Sequence, residues 1–319
     1  MSTAKNLRIV YMGTPDFAVE ALRRLVEGGY NVVGVVTMPD KPSGRGLKIQ
    51  YSAVKQYALE VGLPLLQPEK LKAQEFIDQL TELQPDLGVV IAFRMLPEVV
   101  WALPKMGTIN LHASLLPQYR GAAPINHALI NGESKTGVTT FFLNHTIDTG
   151  DILMQKETAI SDDDTLETLN DRLMVMGGDA VIESVEMIAK GDYSLTRQNH
   201  IPESELKAAP KIFREDCHLN WELDAVRVRN QVRGLSPYPA AWSTLHIGGQ
   251  EFQLKIFDVS IVDEQKVGSV GSAVLNKTIT VQCGKGVIRI NRLQPAGKRQ
   301  MSSEEFLRGI KISGESHFE

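Results

Sequence analysis

The chain has 319 residues, 34 Lys+Arg against 38 Asp+Glu, 43% hydrophobic and 6% aromatic residues, and a formal net charge of -4. This composition excludes a disordered chain, a collagen-like chain and a disulfide scaffold, and the length suits about two domains with two cores. Residues 7–12 (LRIVYM) form a short apolar run, and FAVEALRRLVEGG after it repeats Val19, Leu22 and Leu25 with helical spacing before the apolar NVVGVVT at 31–37. Both runs are apolar throughout, as strands covered on two faces are, so the opening predicts a strand–helix–strand unit of a parallel sheet. Apolar runs at 87–93, 107–111 and 138–143 alternate with helical segments near 71–83 and 122–131. Together they predict one doubly wound, Rossmann-like α/β sheet.

After ILMQKETAI at 152–160, Ser161–Asp164 reads as a helix start, and Leu166, Leu169, Leu173 and Met176 continue one face of a helix running to about Lys190. Residues 191–210 are polar and without period, as an interdomain linker is. Beyond them one helix near 224–234 is followed by β-rich runs separated by GG, VGSVG and GKG turns, which predict a small barrel or sandwich. The expected domains are therefore 1–190, a linker over 191–210, and a mostly β domain over 211–319.

No leader or membrane-spanning run is visible, and Cys217 and Cys283 form no C-x-x-C pair, so reduced thiols and a cytoplasmic location are expected. The 211–319 segment holds 15 Lys+Arg against 12 Asp+Glu, a weak hint of an anionic partner for which a solvated surface is the better reading on this evidence alone.

Chemistry concentrates at two strand ends. In 107–124 (GTINLHASLLPQYRGAAP), Asn110 and His112 alternate with Leu111 and so face the same side of a strand that ends there. Open parallel sheets bind ligands beyond the carboxyl ends of their strands. The segment 144–151 (NHTIDTGD) follows another predicted strand and brings Asp148 from a short loop. If Asp148 faces His112 the two form an acid–base pair, and Asn110 adds a neutral N–H for charge developing on a carbonyl oxygen. The same residues also suit turn caps and Asx turns, and spacing alone leaves both readings open. His112, His145 and Asp148 have no metal-ligand spacing, so no metal is expected.

The loop G-T-P-D-F at 13–17 lacks G-x-G-x-x-G, and Pro15 removes an N–H that a phosphate cradle would use, which disfavours a dinucleotide site. Residues 41–55 (KPSGRGLKIQYSAVK) hold Lys41, Arg45, Lys48 and Lys55 with no acidic residue, consistent with a flexible loop for a phosphate backbone or with a solvated one.

Asn110, His112, S-L-L-P at 114–117 and D-T-G-D at 148–151 resemble, in order and spacing, the folate-dependent formyltransferases. The resemblance implies that Asn110, His112 and Asp148 act together on the formyl group of 10-formyltetrahydrofolate. Several branches share these residues. The runs G-T-P-D-F at 13–17, M-P-D-K-P-S-G-R-G at 38–46, R-G-A-A-P-I at 120–125 and L-Q-P-A-G-K at 293–298 resemble the branch whose acceptor is the α-amino group of methionyl-initiator tRNA, used to start translation. From about residue 7 to about 310, the resemblance implies a Rossmann-like catalytic domain joined to an OB-like β-barrel. It further implies folate contacts at Ser114, Leu115, Leu116, Pro117, Phe93, Arg94 and Met95, and tRNA contacts from Arg45, helped by Lys41 and Lys48. A monomer with no membrane partner is expected. One departure stands out: A-F-R-M-L at 92–96 replaces the A-Y-G of many members. Formylation of an amino sugar and a nucleic-acid-binding module with an inactive α/β domain are the competing readings.

Overall fold

In the first compact unit of the computed structural model, residues of 1–121, 136–158 and 170–208 cluster together, and the second unit gathers 122–135, 159–169 and 209–319. The structure describes residues 3–43, 48–199 and 201–319, with backbone alone for 41–43 and 48–49.

The elements of the first two-thirds of the chain are β1 (Ile9–Gly13), α1 (Val19–Glu27), β2 (Val32–Val36), β3 (Lys41–Ser43), β4 (Lys48–Gln50), α2 (Ala53–Glu60) and β5 (Leu65–Leu66). They continue with α3 (Gln74–Glu82), β6 (Leu87–Ile91), α4 (Glu98–Trp101), β7 (Thr108–His112), β8 (Arg120–Gly121), α5 (Pro124–Ile130), β9 (Lys135–Phe142), β10 (Ile152–Ala159) and α6 (Leu166–Lys190). The main sheet has the order β10-β9-β7-β6-β1-β2-β5. Every residue of β1 and β6 is buried, the outcome their unbroken apolar runs predict. Helix α6 lies close on this sheet: a Cβ on Gly177 would stand 2.6 Å from Leu111, and Ser184 Oγ meets Thr140 Oγ1 at 2.7 Å.

The sheet is parallel from β7 through β5, but β9 runs antiparallel to β7, pairing His112 with Thr139 and Asn110 with Phe141. The buried pattern of β9 carries no record of strand direction. Three local expectations need correction. Helix α6 begins at Leu166 rather than within 161–164, because the Asp164 carboxylate accepts from Ser161 N at 2.8 Å and Thr168 Oγ1 at 3.0 Å and closes a turn ahead of it. The stretch expected as a flexible loop contains a two-stranded ladder, with Lys41 opposite Gln50 and Ser43 opposite Lys48. Lys55 belongs to α2, whose Ser52 N-cap accepts its backbone N–H at 3.1 Å.

The second unit contains α7 (Ala225–Leu235), which follows the short β11 (Ala208–Ala209), then β12 (Ala241–Ile247), β13 (Gln250–Asp263), β14 (Ala273–Leu275), β15 (Ile279–Gln282), β16 (Val287–Pro295), β17 (Met301–Ser302), α8 (Ser303–Arg308) and β18 (Ser316–Phe318). Its antiparallel sheet has the order β14-β15-β16-β13-β12-β18, with β17 on β16. A bridge between Ser272 and His317 brings its two edges together, so the sheet is a nearly closed barrel. Its interior is filled by side chains such as Leu245, Leu254, Ile256, Val281, Ile288 and Leu293, and Val228 and Val232 of α7 pack against them.

Among the described residues no helix is long and apolar enough to cross a membrane.

Candidate active site

Strand β7 ends at His112, and the ladder sets Asn110 beside Val90 and Leu111 beside Ile91, so the end of β7 and the start of 92–96 are neighbours. His112 is buried at 6% exposure. Its Nε2–H donates to the Tyr119 carbonyl at 2.8 Å, which fixes the tautomer of the neutral ring and leaves the Nδ1 lone pair on the other edge. Nδ1 faces Asp148 Oδ2 at 3.9 Å. That distance is too long for a hydrogen bond and short enough for one proton-bearing group to lie between or beside the two. The Asn110 carboxamide, half-buried on the same strand, has no hydrogen-bond partner among the described residues. A partly buried amide without a protein partner is suited to receive an oxygen from a ligand.

Asp148 is held through that same oxygen. Its Oδ2 accepts the Gly121 N–H at 3.0 Å, and its own backbone is left-handed at φ 53°. Tyr119 at φ 61° is left-handed as well. A non-glycine residue in that region carries backbone strain of order 1 kcal/mol or more, and such residues gather where function demands a special geometry. Gly150 explains the glycine of D-T-G-D: a Cβ there would stand 1.6 Å from the Phe142 carbonyl oxygen. The Asp148 loop therefore approaches the end of β9 at backbone contact.

The segment 114–117 is tied down. Ser114 is fully buried with its hydroxyl donating to the Gln118 carbonyl at 2.7 Å, and the Leu116 N–H donates to Thr139 Oγ1 at 3.1 Å. Leu116 packs with Phe141 and Ile152, Pro117 is buried behind a cis bond, and Leu115 is half-buried. These side chains mostly build the wall rather than project from it.

At 92–96, the left-handed residue is Ala92 at φ 46°, while Arg94 has an ordinary backbone, so a side chain fits where the resemblance expects glycine. Arg94 donates to the Pro68 carbonyl, and to that of Glu69 at 2.8 Å. Its Nε is buried without a partner, and burial lowers its pKa from the ordinary arginine value. Phe93 packs on the cluster around Val36, Phe76 and Leu96, whereas Met95 is 69% exposed.

Arg45 lies outside the described residues, and Lys41 and Lys48 are described by backbone alone. Lys55 is not available to an anion: it is 8% exposed, and its Nζ is bonded to Asp40 Oδ2 and to Gln67 Oε1 at 2.9 Å.

A groove of about 570 Å³ opens beside the 148–151 loop, lined by Arg120, Thr149, Asp151, Arg197, Gln198 and Leu206. Gln198 escapes a reading of the sequence because a polar, aperiodic stretch gives no sign of which member is buried. No group of three or more His, Cys, Asp and Glu among the described residues is gathered to hold a metal ion.

An amide, an imidazole and a carboxylate at the open end of a Rossmann-like sheet, in a chain that continues into a small barrel, define a class, the formyl transferases. The chain belongs to that family: its formyl transferase profile matches residues 6–185 and its C-terminal domain profile residues 211–311. The curated relatives that match nearly the whole chain carry one name. Methionyl-tRNA formyltransferase of Bacteroides thetaiotaomicron is 54% identical over 313 residues, 97% of either chain, and that of Porphyromonas gingivalis is 47% identical over 320 residues, 99% of either chain. Among solved structures, an N-formyltransferase from Helicobacter canadensis in complex with folinic acid and dTDP-3-aminofucose superposes with a TM-score of 0.64 at 20% identity, covering 91% of this chain and 99% of its own. HypX from Aquifex aeolicus in complex with tetrahydrofolic acid gives 0.63 at 19%, covering 96% of this chain and 48% of its own. At that identity they speak to the fold.

Proposed function

We infer that this protein transfers the formyl group of 10-formyltetrahydrofolate to the α-amino group of methionyl-initiator tRNA, the step that prepares the initiator for translation. Relatives bearing that activity as their name match the chain end to end. The observation that carries the chemistry is the convergence of His112 and Asp148, 36 residues apart in sequence, at 3.9 Å beyond the end of β7.

The donor fits these residues. Asn110 offers an unpartnered N–H to the formyl oxygen, and exposed Ala92 follows the neighbouring strand, where a pterin edge can bond to main chain. Phe93, Arg94, Met95 and the 114–117 segment are the proposed folate contacts.

The α-amine, in its neutral form, attacks the formyl carbon. Carbon–oxygen π electrons move to oxygen, and the resulting alkoxide is stabilised by Asn110 and by protonated His112. The amine loses a proton toward the His112–Asp148 pair. Collapse of the tetrahedral intermediate breaks the bond to N10 of the folate, which takes up a proton as tetrahydrofolate leaves. No covalent enzyme intermediate is needed, since the amine is the nucleophile throughout.

Arg45, Lys41 and Lys48 are the proposed contacts to tRNA phosphates. We assign the catalytic domain to 1–190, the linker to 191–210 and the tRNA-binding barrel to 211–319, and we expect a cytoplasmic monomer. The test is a transfer assay with labelled 10-formyltetrahydrofolate and three acceptors: charged initiator tRNA, charged elongator tRNA and a nucleotide-linked amino sugar. Transfer to the initiator alone supports the reading, whereas preferential transfer to the sugar overturns it.

A further inference from the structure

We propose that Gln198 is a positioning residue for the His112–Asp148 pair. The proposal rests on the formyl-transfer reading above and extends it to a segment that the sequence presents as a passive linker.

Residues 119–121 hold both members of the pair. The Tyr119 carbonyl accepts from His112 Nε2–H at 2.8 Å, and the Gly121 N–H donates to Asp148 Oδ2 at 3.0 Å. Arg120 stands between them, and its Nε and Nη2 donate to Gln198 Oε1 at 3.1 and 2.8 Å. The other end of the same carboxamide donates from Nε2 to the Gly150 carbonyl at 2.7 Å, two residues beyond Asp148. Gln198, at 7% exposure, thereby closes a circuit: 119–121 to Asp148 directly, and 120 through Gln198 back to the Asp148 loop.

That second tie matters because the Asp148 loop has little packing of its own. Residues 144–147 are exposed, Ile147 at 59%, and Asp148 is left-handed. A short loop with few buried contacts and a strained residue drifts unless hydrogen bonds fix it. The linker does not depend on Gln198 for its own attachment, since Thr196 and Ile152 exchange backbone hydrogen bonds at 2.8 and 2.9 Å. Removing the carboxamide therefore leaves the segment in place and leaves the Asp148 carboxylate with the Gly121 N–H as its direct tie to residues 119–121.

The residue type is set by the donor and acceptor count. Oε1 must accept from a guanidinium while Nε2 donates to a carbonyl, which a side-chain amide does from its two ends, and Asn is one methylene shorter. A Glu in this place keeps the Arg120 partner but sets an acceptor against the Gly150 carbonyl.

The experiment compares the unmodified protein with Gln198→Glu and Gln198→Met in steady-state transfer from 10-formyltetrahydrofolate to charged initiator tRNA, across pH. Both variants are expected to lose about 10- to 100-fold in kcat, the scale of displacing a catalytic group by an ångström, with the KM for either substrate changed less. The midpoint of the kcat–pH profile is expected to move, because it reports the acid and base of the bound complex. A merely structural role lowers the melting temperature and the active fraction but leaves that midpoint in place. If Gln198→Met fails to fold, Gln198→Glu, which keeps size and the Arg120 partner, decides the matter. A folded variant with unaltered kcat and an unaltered pH midpoint overturns the proposal. Absence of transfer by the unmodified protein overturns the functional reading instead, and this inference with it.

Discussion

Two acid–base pairs stand near the carboxyl edge of the sheet, and they are built to opposite ends. Lys55 and Asp40 are in direct contact, and Gln67 completes them by accepting from Lys55 Nζ and donating to Asp40 Oδ1 and the Met38 carbonyl at 2.9 Å each. Both oxygens of Asp40 and both ends of the Gln67 amide are used within that cluster. His112 and Asp148 stand 3.9 Å apart with no bond between them: His112 is anchored through Nε2 on the Tyr119 carbonyl, which leaves Nδ1 to meet something else, while the oxygen that faces it, Asp148 Oδ2, also accepts the Gly121 N–H. A saturated cluster fixes the chain locally, here the residues leading into 41–50. A pair held close without a bond between its members is a place for a proton to be given or taken.

The largest expected effect breaks the slack pair. Asn110→Ala, His112→Ala and Asp148→Asn should each lower kcat by at least about 10²-fold with the melting temperature little changed. Single-turnover transfer on folded protein measures it, and near-normal turnover in any of the three removes that residue's role. Gly150→Ala comes next. Its methyl group would collide with the Phe142 carbonyl, so the loop must shift, at a cost of about 1–3 kcal/mol in stability and a further loss of kcat. Denaturant melts and transfer assays on one preparation separate the two effects.

Lys55→Met tests the closed pair. Transfer chemistry per folded molecule should be retained while thermal stability falls, because the variant strands Asp40 beside Gln67. The Asp40 carboxyl is held below its ordinary range by the hydrogen bond from Lys55 first and that from Gln67 second. A carboxyl with a lowered folded-state pKa stabilises the fold above its unfolded value, and loses that contribution as the pH drops through the lowered one. The melting deficit of Lys55→Met should therefore be full at neutral pH and shrink in acid. A deficit independent of pH would show that the pair contributes packing alone. The smallest change is Arg45→Ala, expected to weaken tRNA use and to reduce the slope of log affinity against log salt by roughly one. An unchanged slope takes Arg45 out of the interface.

The strand-end pair is legible in the sequence because it depends on rules with a fixed period. Alternation puts Asn110 and His112 on one face, and an open sheet puts its chemistry at strand ends. Features that depend on tertiary contact are not legible. The left-handed backbone of Asp148 has no signature in N-H-T-I-D-T-G-D, and the antiparallel run of β9 leaves no trace in a strand buried on both faces. Lys55 reads as a loop cation because it closes a stretch, 41–55, that holds Lys41, Arg45 and Lys48 and no acidic residue. In the fold it starts a helix and turns inward to Asp40. Gln198 sits in a stretch whose polarity suits a linker, and only the approach of Gly150 and Arg120 gives its carboxamide a task.

The most direct test of the central claim is a single-turnover measurement of label passing from 10-formyltetrahydrofolate to charged initiator tRNA, run with the unmodified protein and with His112→Ala at matched folded concentration. Rapid transfer is expected in the first case and a rate at least about 10²-fold lower in the second. Equal rates, or no transfer by the unmodified protein, would contradict it.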